Sequence, residues 1–459
     1  MSTNHEKQFP SNKNIDMNRT YIIVMATLGL ATSLCAAEPW TMHKIDNALW
    51  NHNSLSPGDV NGDGYTDYAV IHEGPEKYTF ILHPGKDGDP KAPWKKVIVG
   101  AGVNPEYSDF GDFDGDGRLD IVGVGGHGAA AQIFWGPESS RVRDPKAWTS
   151  SLLPQTKNRG HFLYVLTRDI NRDGAPDIVI GGRLQGTESL ENMEGKRNAG
   201  IMWIEAPADP KDRRNPAKWL IHDIDTKTKG GHGFQFSDVD GDGDEDIINC
   251  NADWNTREEE EHVVWYENPG SASPDQKHEW PRHVIYEGAE FYSKAAVALG
   301  DLDGDGLVDF CVPTANEIFY FRKTGLKPVA WEKIIIPKDE KARWLQRPLA
   351  MADLNGDGKM DLVGMLIHDP KGKLPTTKAA VYLMTYEGTR PTADNWTTHV
   401  IKWGDGASGG RMFKGEKWDH CRFVDIDRDG DLDILGNCEE HYNEKRETVI
   451  GVVWFENEK

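Results

Sequence analysis

The sequence predicts an all-β chain folded as a seven-bladed β-propeller with four-stranded blades, the ring closed by the N-terminal strand (Trp40 to Ile45) completing the last blade. Three observations predict it. An acidic nine-residue loop, a tryptophan-led strand and an aromatic strand each occur seven times, and no helical period runs between them. Loop starts fall 53, 57, 69, 63, 52 and 72 residues apart, so each unit has room for four short strands and insertions of varying length.

The acidic loops set the register. They comprise Asp59, Asn61, Asp63 and Asp67; Asp112, Asp114, Asp116 and Asp120; Asp169, Asn171, Asp173 and Asp177; and Asp238, Asp240, Asp242 and Asp246. The remaining three are Asp301, Asp303, Asp305 and Asp309; Asp353, Asn355, Asp357 and Asp361; and Asp425, Asp427, Asp429 and Asp433. Side-chain oxygens stand at offsets 0, 2, 4 and 8, with Gly at offset 5. Ca²⁺ takes six to eight oxygen ligands, and the glycine allows the turn that converges them. A single copy would read equally as an Asx turn; seven copies in register predict up to seven structural Ca²⁺ sites. An EF-hand is excluded, because offset 11 holds Val70, Gly123, Ile180 or Asn249 and not Glu.

Between the loops, the second repeat pairs Trp with an apolar residue five positions on: Trp40/Ile45, Trp94/Val99, Trp148/Leu153, Trp219/Ile224, Trp280/Ile285, Trp331/Ile336 and Trp396/Ile401. Four of these carry His at offset 3 (His43, His222, His283, His399), read as structural residues of outer strands. The third repeat is aromatic, as in Ile201-Met-Trp-Ile204 and Val452-Val-Trp-Phe455. The chain has a lone Trp strand before the first loop and stops after its seventh aromatic strand, so the first can complete the last blade and leave no exposed sheet edge.

Residues 1–37 read as an export signal, followed by a single propeller over 38–459. Lys13 and Arg19 precede an uncharged run from Thr20 to Ala37 that ends in small residues, and Met17 is an alternative start. After cleavage no stable membrane span remains, and the expected location is periplasmic or extracellular. A net charge of −22 excludes a nucleic-acid partner, since phosphate calls for a basic surface. Fourteen of those charges would be offset by seven Ca²⁺. Cys250, Cys311, Cys421 and Cys438 are too few for a disulfide scaffold; Cys421 and Cys438 read equally as thiols or as a bridge.

The loops and their following apolar strands resemble the FG-GAP/VCBS calcium-loop propellers, related to the integrin α-subunit head. The stretch from Lys417-Trp-Asp-His-Cys-Arg to Gly451-Val-Val-Trp-Phe is similar to exported bacterial VCBS-repeat proteins. Integrin-type Phe-Gly and Gly-Ala-Pro elements are not kept, which weakens an adhesion role. The resemblance extends to enzymes of this architecture, aldos-2-ulose dehydratase and polysaccharide lyases.

If each inner strand runs down into an acidic loop, the opposite rim collects Trp50, His52, His72, Tyr107, His127, His161, Tyr164, His232, Trp254, Lys294, Arg343, Arg347, His368, Trp418, His420, Glu439, Glu440, His441 and Tyr442. His161, His232 and His420 lead into inner strands and are the candidate bases, with Tyr164 or Tyr107 as acid. Arg343 and Arg347 suit a carboxylate, Lys294 is a further candidate site residue, and Trp50, Trp254, Trp344 and Trp418 suit stacking on sugar rings. His72, His127, His368 and His441 read as polar loop residues. The chemistry this predicts is β-elimination on a carbohydrate, by a polysaccharide lyase or sugar dehydratase. The alternative is a non-catalytic, calcium-dependent module binding carbohydrate or a protein partner. Zn²⁺ on the three channel histidines is a minor option.

Overall fold

The computed structural model describes residues 39–49, 51–126, 128–183, 200–226, 233–251, 262–288, 290–291, 296–314, 316–343, 347–366, 378–404, 416–439 and 450–458. The proposed signal, residues 1–37, lies outside them, as does much of the long insertions. Among the described residues, no helix is long and apolar enough to cross a membrane.

Seven antiparallel sheets of four strands form the propeller. Blade 1 contains His52–Gly58, Asp67–His72, Lys77–Leu82 and Lys95–Ala101, from the axis outward. Blade 2 contains Pro105–Gly111, Asp120–Gly125, Ala131–Trp135 and Thr149–Leu153; blade 3, His161–Arg168, Asp177–Arg183, Ile201–Glu205 and Leu220–Asp225. Blade 4 contains Gln235–Ser237, Asp246–Cys250, His262–Tyr266 and Arg282–Glu287; blade 5, Ala298–Gly300, Asp309–Pro313, Glu317–Leu326 and Val329–Pro337. Blade 6 contains Arg347–Ala352, Asp361–Met365, Ala379–Tyr386 and Trp396–Trp403. Blade 7 takes Trp418–Val424, Asp433–Cys438 and Val452–Glu456 from the end of the chain and Thr41–Asp46 from its beginning, paired from Thr41↔Glu456 to Asp46↔Val452. The predicted closure is present.

Burial explains the strand sequences. Second strands such as Asp67–His72 and Asp120–Gly125 are buried at every position, because neighbouring blades cover both faces of the sheet. They therefore read as continuous apolar runs, whereas outer strands alternate and leave Ile98 and Leu220 in solvent. Blades pack closely enough that a Cβ on Gly123 would stand 2.3 Å from the Tyr78 ring of blade 1.

In five blades the repeated tryptophan latches the loop ahead of the outer strand. Indole Nε1 donates to a carbonyl four to six residues back at Trp94 (Pro90), Trp148 (Val142), Trp219 (Arg213), Trp280 (Gln276) and Trp396 (Thr392), at 2.7–3.0 Å. Blade 5 departs from this: a tight hairpin replaces the Pro-rich loop, and Trp331 lies inside the outer strand against Phe310. The offset-3 histidines are structural, as expected. His43, His222 and His283 each bond a glutamate at 2.7 Å and lie against Trp454, Trp203 and Trp265, while His399 meets Thr385. Among the described residues no disulfide forms; the four thiols are buried, with Cys421 and Cys438 on adjacent strands.

Trp219 is 2% exposed, so Trp219→Ala is expected to lower the unfolding free energy by about 3–5 kcal/mol. Trp219→Phe, which keeps most of the ring but loses the bond to Arg213, should cost about 1–2 kcal/mol. Urea denaturation distinguishes them; equal losses would remove the latch.

Candidate functional site

Every inner strand leads directly into an acidic loop, so all seven loops share one rim. In each, the offset-0 carboxylate accepts the amide of the offset-5 glycine, at 2.8–3.2 Å. Those glycines have φ between 82° and 105° and open space where a Cβ would stand, so backbone conformation, not crowding, requires them. The offset-4 carboxylate accepts the amide two residues on, at 2.8–3.2 Å.

The offset-8 aspartate is buried in all seven loops and accepts the amide of the offset-1 residue at 2.8–3.1 Å. In six loops its other oxygen accepts an amide toward the end of the third strand, at 2.6–3.0 Å. Burial raises these carboxyls, against the pull of the amides, to about 7 at Asp67, Asp246, Asp361 and Asp433, about 8 at Asp120 and Asp177, and about 6 at Asp309.

Oxygens at offsets 0, 2 and 8 converge within 4.8 Å in the loops at Asp112, Asp238, Asp301 and Asp425, a spacing that could hold a metal ion. Asn61, Asn171 and Asn355 supply offset 2 in the other three. The offset-4 acids stand outside these groups. Asp425 Oδ1 and Asp427 Oδ1 are buried with no hydrogen-bond donor, which fits a cation between them.

Along the inner strands, side chains converge on the axis. A cavity of about 250 Å³ is lined by Tyr164 of blade 3, Gln235 of blade 4, Leu299 of blade 5, Met351 of blade 6, and His420 and Arg422 of blade 7. Tyr107 of blade 2 packs against Tyr164 (ring centroids 4.6 Å apart) and against His420 (4.9 Å). Arg422 donates to the Tyr107 hydroxyl at 3.2 Å. Burial holds the Tyr164 phenol protonated far above its ordinary range.

His420 is oriented by blade 1. Its Nε2 lies 3.2 Å from Asn53 Oδ1. That oxygen also accepts the Ser54 amide, and Asn53 Nδ2 donates to Glu73, so the amide cannot be flipped. Nε2 therefore carries the proton and the lone pair of the neutral ring is on Nδ1. His161 begins the inner strand of blade 3 and bonds Glu106 at 2.7 Å. Lys417 pairs with Asp419 at 3.1 Å and with Glu439, all three buried. Burial and the nearby Glu106 carboxylate raise Glu73 above its ordinary 4.5, against Lys417 and Asn53.

Of the sequence-predicted residues, Tyr107, Tyr164 and His420 are brought together, and His161 stands at the same rim with Glu106. Arg343 pairs with Glu340 on the surface. Arg347 begins the inner strand of blade 6, its side chain outside the described atoms. Trp50, His127, His232, Trp254, Lys294, Trp344, His368, Glu440, His441 and Tyr442 lie outside the described residues. Two expectations are corrected. Trp418 is wholly buried, bonded to Glu416 and packed on Phe455, so it offers no face to a sugar. His52 and His72 do stand at this rim, at the start of the inner strand and the end of the second strand of blade 1, but both are fully buried, so His72 is not a polar loop residue.

Sequence reasoning missed Asn53, Glu73, Glu106, Lys417, Asp419 and Arg422. A positional signal existed for one of them: Glu73, like the predicted rim residue Glu439, stands six residues after an offset-8 aspartate, where a second strand reaches the upper rim.

A family model described as an FG-GAP-like repeat matches residues 59–123, 112–180, 238–312 and 301–364, together more than half of the chain. No curated protein matches the sequence. Among solved structures, a Trichoderma reesei carbohydrate-active enzyme of family AA12 is similar over 92% of this chain and 97% of its own, at 10% identity and TM-score 0.46. An Agrocybe aegerita lectin, solved to show recognition of non-reducing terminal N-acetylglucosamine, is similar over 85% of this chain and 75% of its own, at 16% identity and TM-score 0.38. A Lactobacillus plantarum protein is similar over 79% and 87%, at 10% identity and TM-score 0.43. The blade count rests on the sheets of this chain and not on these likenesses.

Because Glu73 holds its proton more tightly folded than unfolded, it costs stability as pH rises from about 4.5 toward neutrality. In metal-saturated protein, Glu73→Gln should flatten that decline, followed as urea midpoints across pH. Parallel curves for the two proteins would dissolve the proposed carboxyl cluster.

Proposed function

We propose a function for a chain that belongs to the FG-GAP-like repeat family: an exported, calcium-stabilised β-propeller that binds a carbohydrate at the axial mouth opposite its metal rim and catalyses β-elimination on it. The observation that carries this reading is the convergence of an oriented histidine, a buried phenol and one arginine on a single axial cavity, with the Tyr107 phenol packed against them.

The roles follow from the chemistry of those groups. His420 Nδ1 takes the proton α to an acyl group. The electron pair left behind forms the carbon–carbon double bond as the β carbon–oxygen bond breaks, and the departing oxygen takes the Tyr164 phenolic proton. Arg422 faces the negative charge that develops on the acyl oxygen, where a fixed cation in a dry site is most effective. Transfer of a proton from His420 back to Tyr164 through water restores both groups. A cavity of about 250 Å³ is below the roughly 300–1,000 Å³ of ordinary ligand pockets, which favours one terminal acidic sugar or ketosugar over a polymer threaded through the ring. Ca²⁺ would be held by offsets 0, 2 and 8 of each loop, where it supplies structural charge neutralisation.

Turnover of uronic-acid saccharides and ketosugars is read as absorbance of the new conjugated double bond. His420→Ala should lower kcat/KM by roughly 10²–10⁴-fold, while His399→Ala on an outer strand leaves it unchanged. Unchanged turnover in His420→Ala would remove this site; tight sugar binding with no turnover on any of these compounds would leave the calcium-dependent binding module.

Chelation provides a separate test. Without metal, the raised offset-8 aspartates bind protons more tightly folded than unfolded, so stability should fall as pH rises from about 4 to about 8. Ca²⁺ should raise the melting temperature and reverse that slope. An identical melt in EDTA and in millimolar Ca²⁺ would exclude calcium as a structural partner.

A further inference from the structure

We propose that Asp46, His52 and His72 form a structural site for a first-row divalent transition ion, Zn²⁺ above all, at the seam where the ring closes. Asp46 ends the N-terminal strand that completes blade 7, whereas His52 and His72 belong to the first two strands of blade 1. All three are buried, with His52 and His72 at 0% exposure and Asp46 at 4%. One ligand atom from each lies within 4.8 Å of the others.

The polar atoms in this cluster are incompletely used. Both ring nitrogens of His52, Nδ1 of His72 and Oδ2 of Asp46 are buried without hydrogen-bond partners. A native core does not normally leave such groups unsatisfied, and an ion bound by Asp46 Oδ2 and the two Nε2 atoms would satisfy two of them, Asp46 Oδ2 and His52 Nε2. Asp46 Oδ1 is occupied, accepting from the Ala48 amide at 3.1 Å and from Lys96 at 2.9 Å. That fixes the carboxylate and turns Oδ2 to the two rings, 3.5 Å from His52 Nε2 and 3.7 Å from His72 Nε2. The first of those separations falls within, and the second just beyond, the spacing of a tetrahedral ion, whose bonds of about 2.0–2.2 Å set neighbouring ligand atoms roughly 3.3–3.6 Å apart. Thr79, at 3.1 Å from His72 Nε2, gives its own proton to the Val70 carbonyl and so competes with the ion only as a weak acceptor.

The donor set decides the ion class. Two imidazoles and one carboxylate suit Zn²⁺ and its first-row neighbours, whereas Ca²⁺ and Mg²⁺ take all-oxygen shells. The site is therefore chemically distinct from the rim loops and is filled independently of them. Its three ligands come from both sides of the seam, so the ion ties the beginning of the chain to the first blade.

The test uses the full chain in millimolar Ca²⁺, which fills the acidic loops, titrated with Co²⁺ and then Zn²⁺. One equivalent of Co²⁺ should give the intense visible bands of a four-coordinate site, displaced by Zn²⁺. Asp46→Asn and His72→Gln, both near-isosteric, should each weaken binding at least tenfold. Zn²⁺ should raise the melting temperature of the wild type and leave the variants unmoved. Folded wild-type protein that binds no Co²⁺ overturns the proposal, as does a Co²⁺ spectrum retained in both variants, which would place the ion on other histidines.

Discussion

The propeller depends on a buried carboxyl that does two jobs in every blade. The offset-8 aspartate ends each acidic loop, begins the second strand, and accepts amides from the loop and, in six blades, from the end of the third strand. One side chain thus joins the turn between the first two strands to the far end of the third. A strand pair alone is marginal in water, and this clasp makes three strands one unit. It also fixes the direction of the loop. Once the aspartate is inside, the oxygens at offsets 0 and 2 converge on it, and the metal geometry follows from the fold rather than being added to it.

Two rims with different electrostatic problems result. On one, seven acidic loops repel their own charges, and nearby cations relieve part of that: Arg214 reaches Asp114, and Arg322 reaches Asp303 at 3.4 Å. Arg172 and Arg428 accept left-handed backbone conformations at offset 3, where five loops have glycine, and each extends to the next blade's loop. Arg428 bonds the Gly64 carbonyl at 2.6 Å and lies over Tyr65. Among the described residues of the opposite rim, four acids are each answered locally: Glu106 by His161, Glu73 by Asn53, and Asp419 and Glu439 by Lys417. A ligand site belongs where charge is already balanced by oriented partners, because those partners need not reorganise when the ligand arrives.

What the sequence made legible was whatever is encoded within a few residues. The acidic loops hold their ligand pattern in nine positions, and the tryptophan strands hold theirs in six, so blade number and ring closure could be counted. Contacts that cross blades were not legible. Trp418 looked like an exposed platform at the start of an inner strand, but blade 7 closes over it through Phe455 and Glu416. His72 looked like a polar loop residue because nothing nearby in sequence explains burying it; its partner Asp46 lies on a strand borrowed from the other side of the seam. The axial site was half visible. Tyr107, Tyr164 and His420 stood out by chemistry, whereas Asn53, which decides the tautomer of His420, is 367 positions away along the chain.

The pairing that closes the ring has a mechanical consequence. Thr41 faces Glu456 at the acidic-loop end of the seam and Asp46 faces Val452 at the opposite end, so a pull on both strands at the Thr41 end parts them from there. Tension applied there loads the backbone bonds one at a time, as a zip is opened, instead of shearing them together. Peeling would begin at the His43–Glu456 contact and reach Asp46 last, where Lys96, His52 and His72 of the neighbouring blade converge on the final carboxylate. The ring's resistance to being pulled open is therefore concentrated at its last rung.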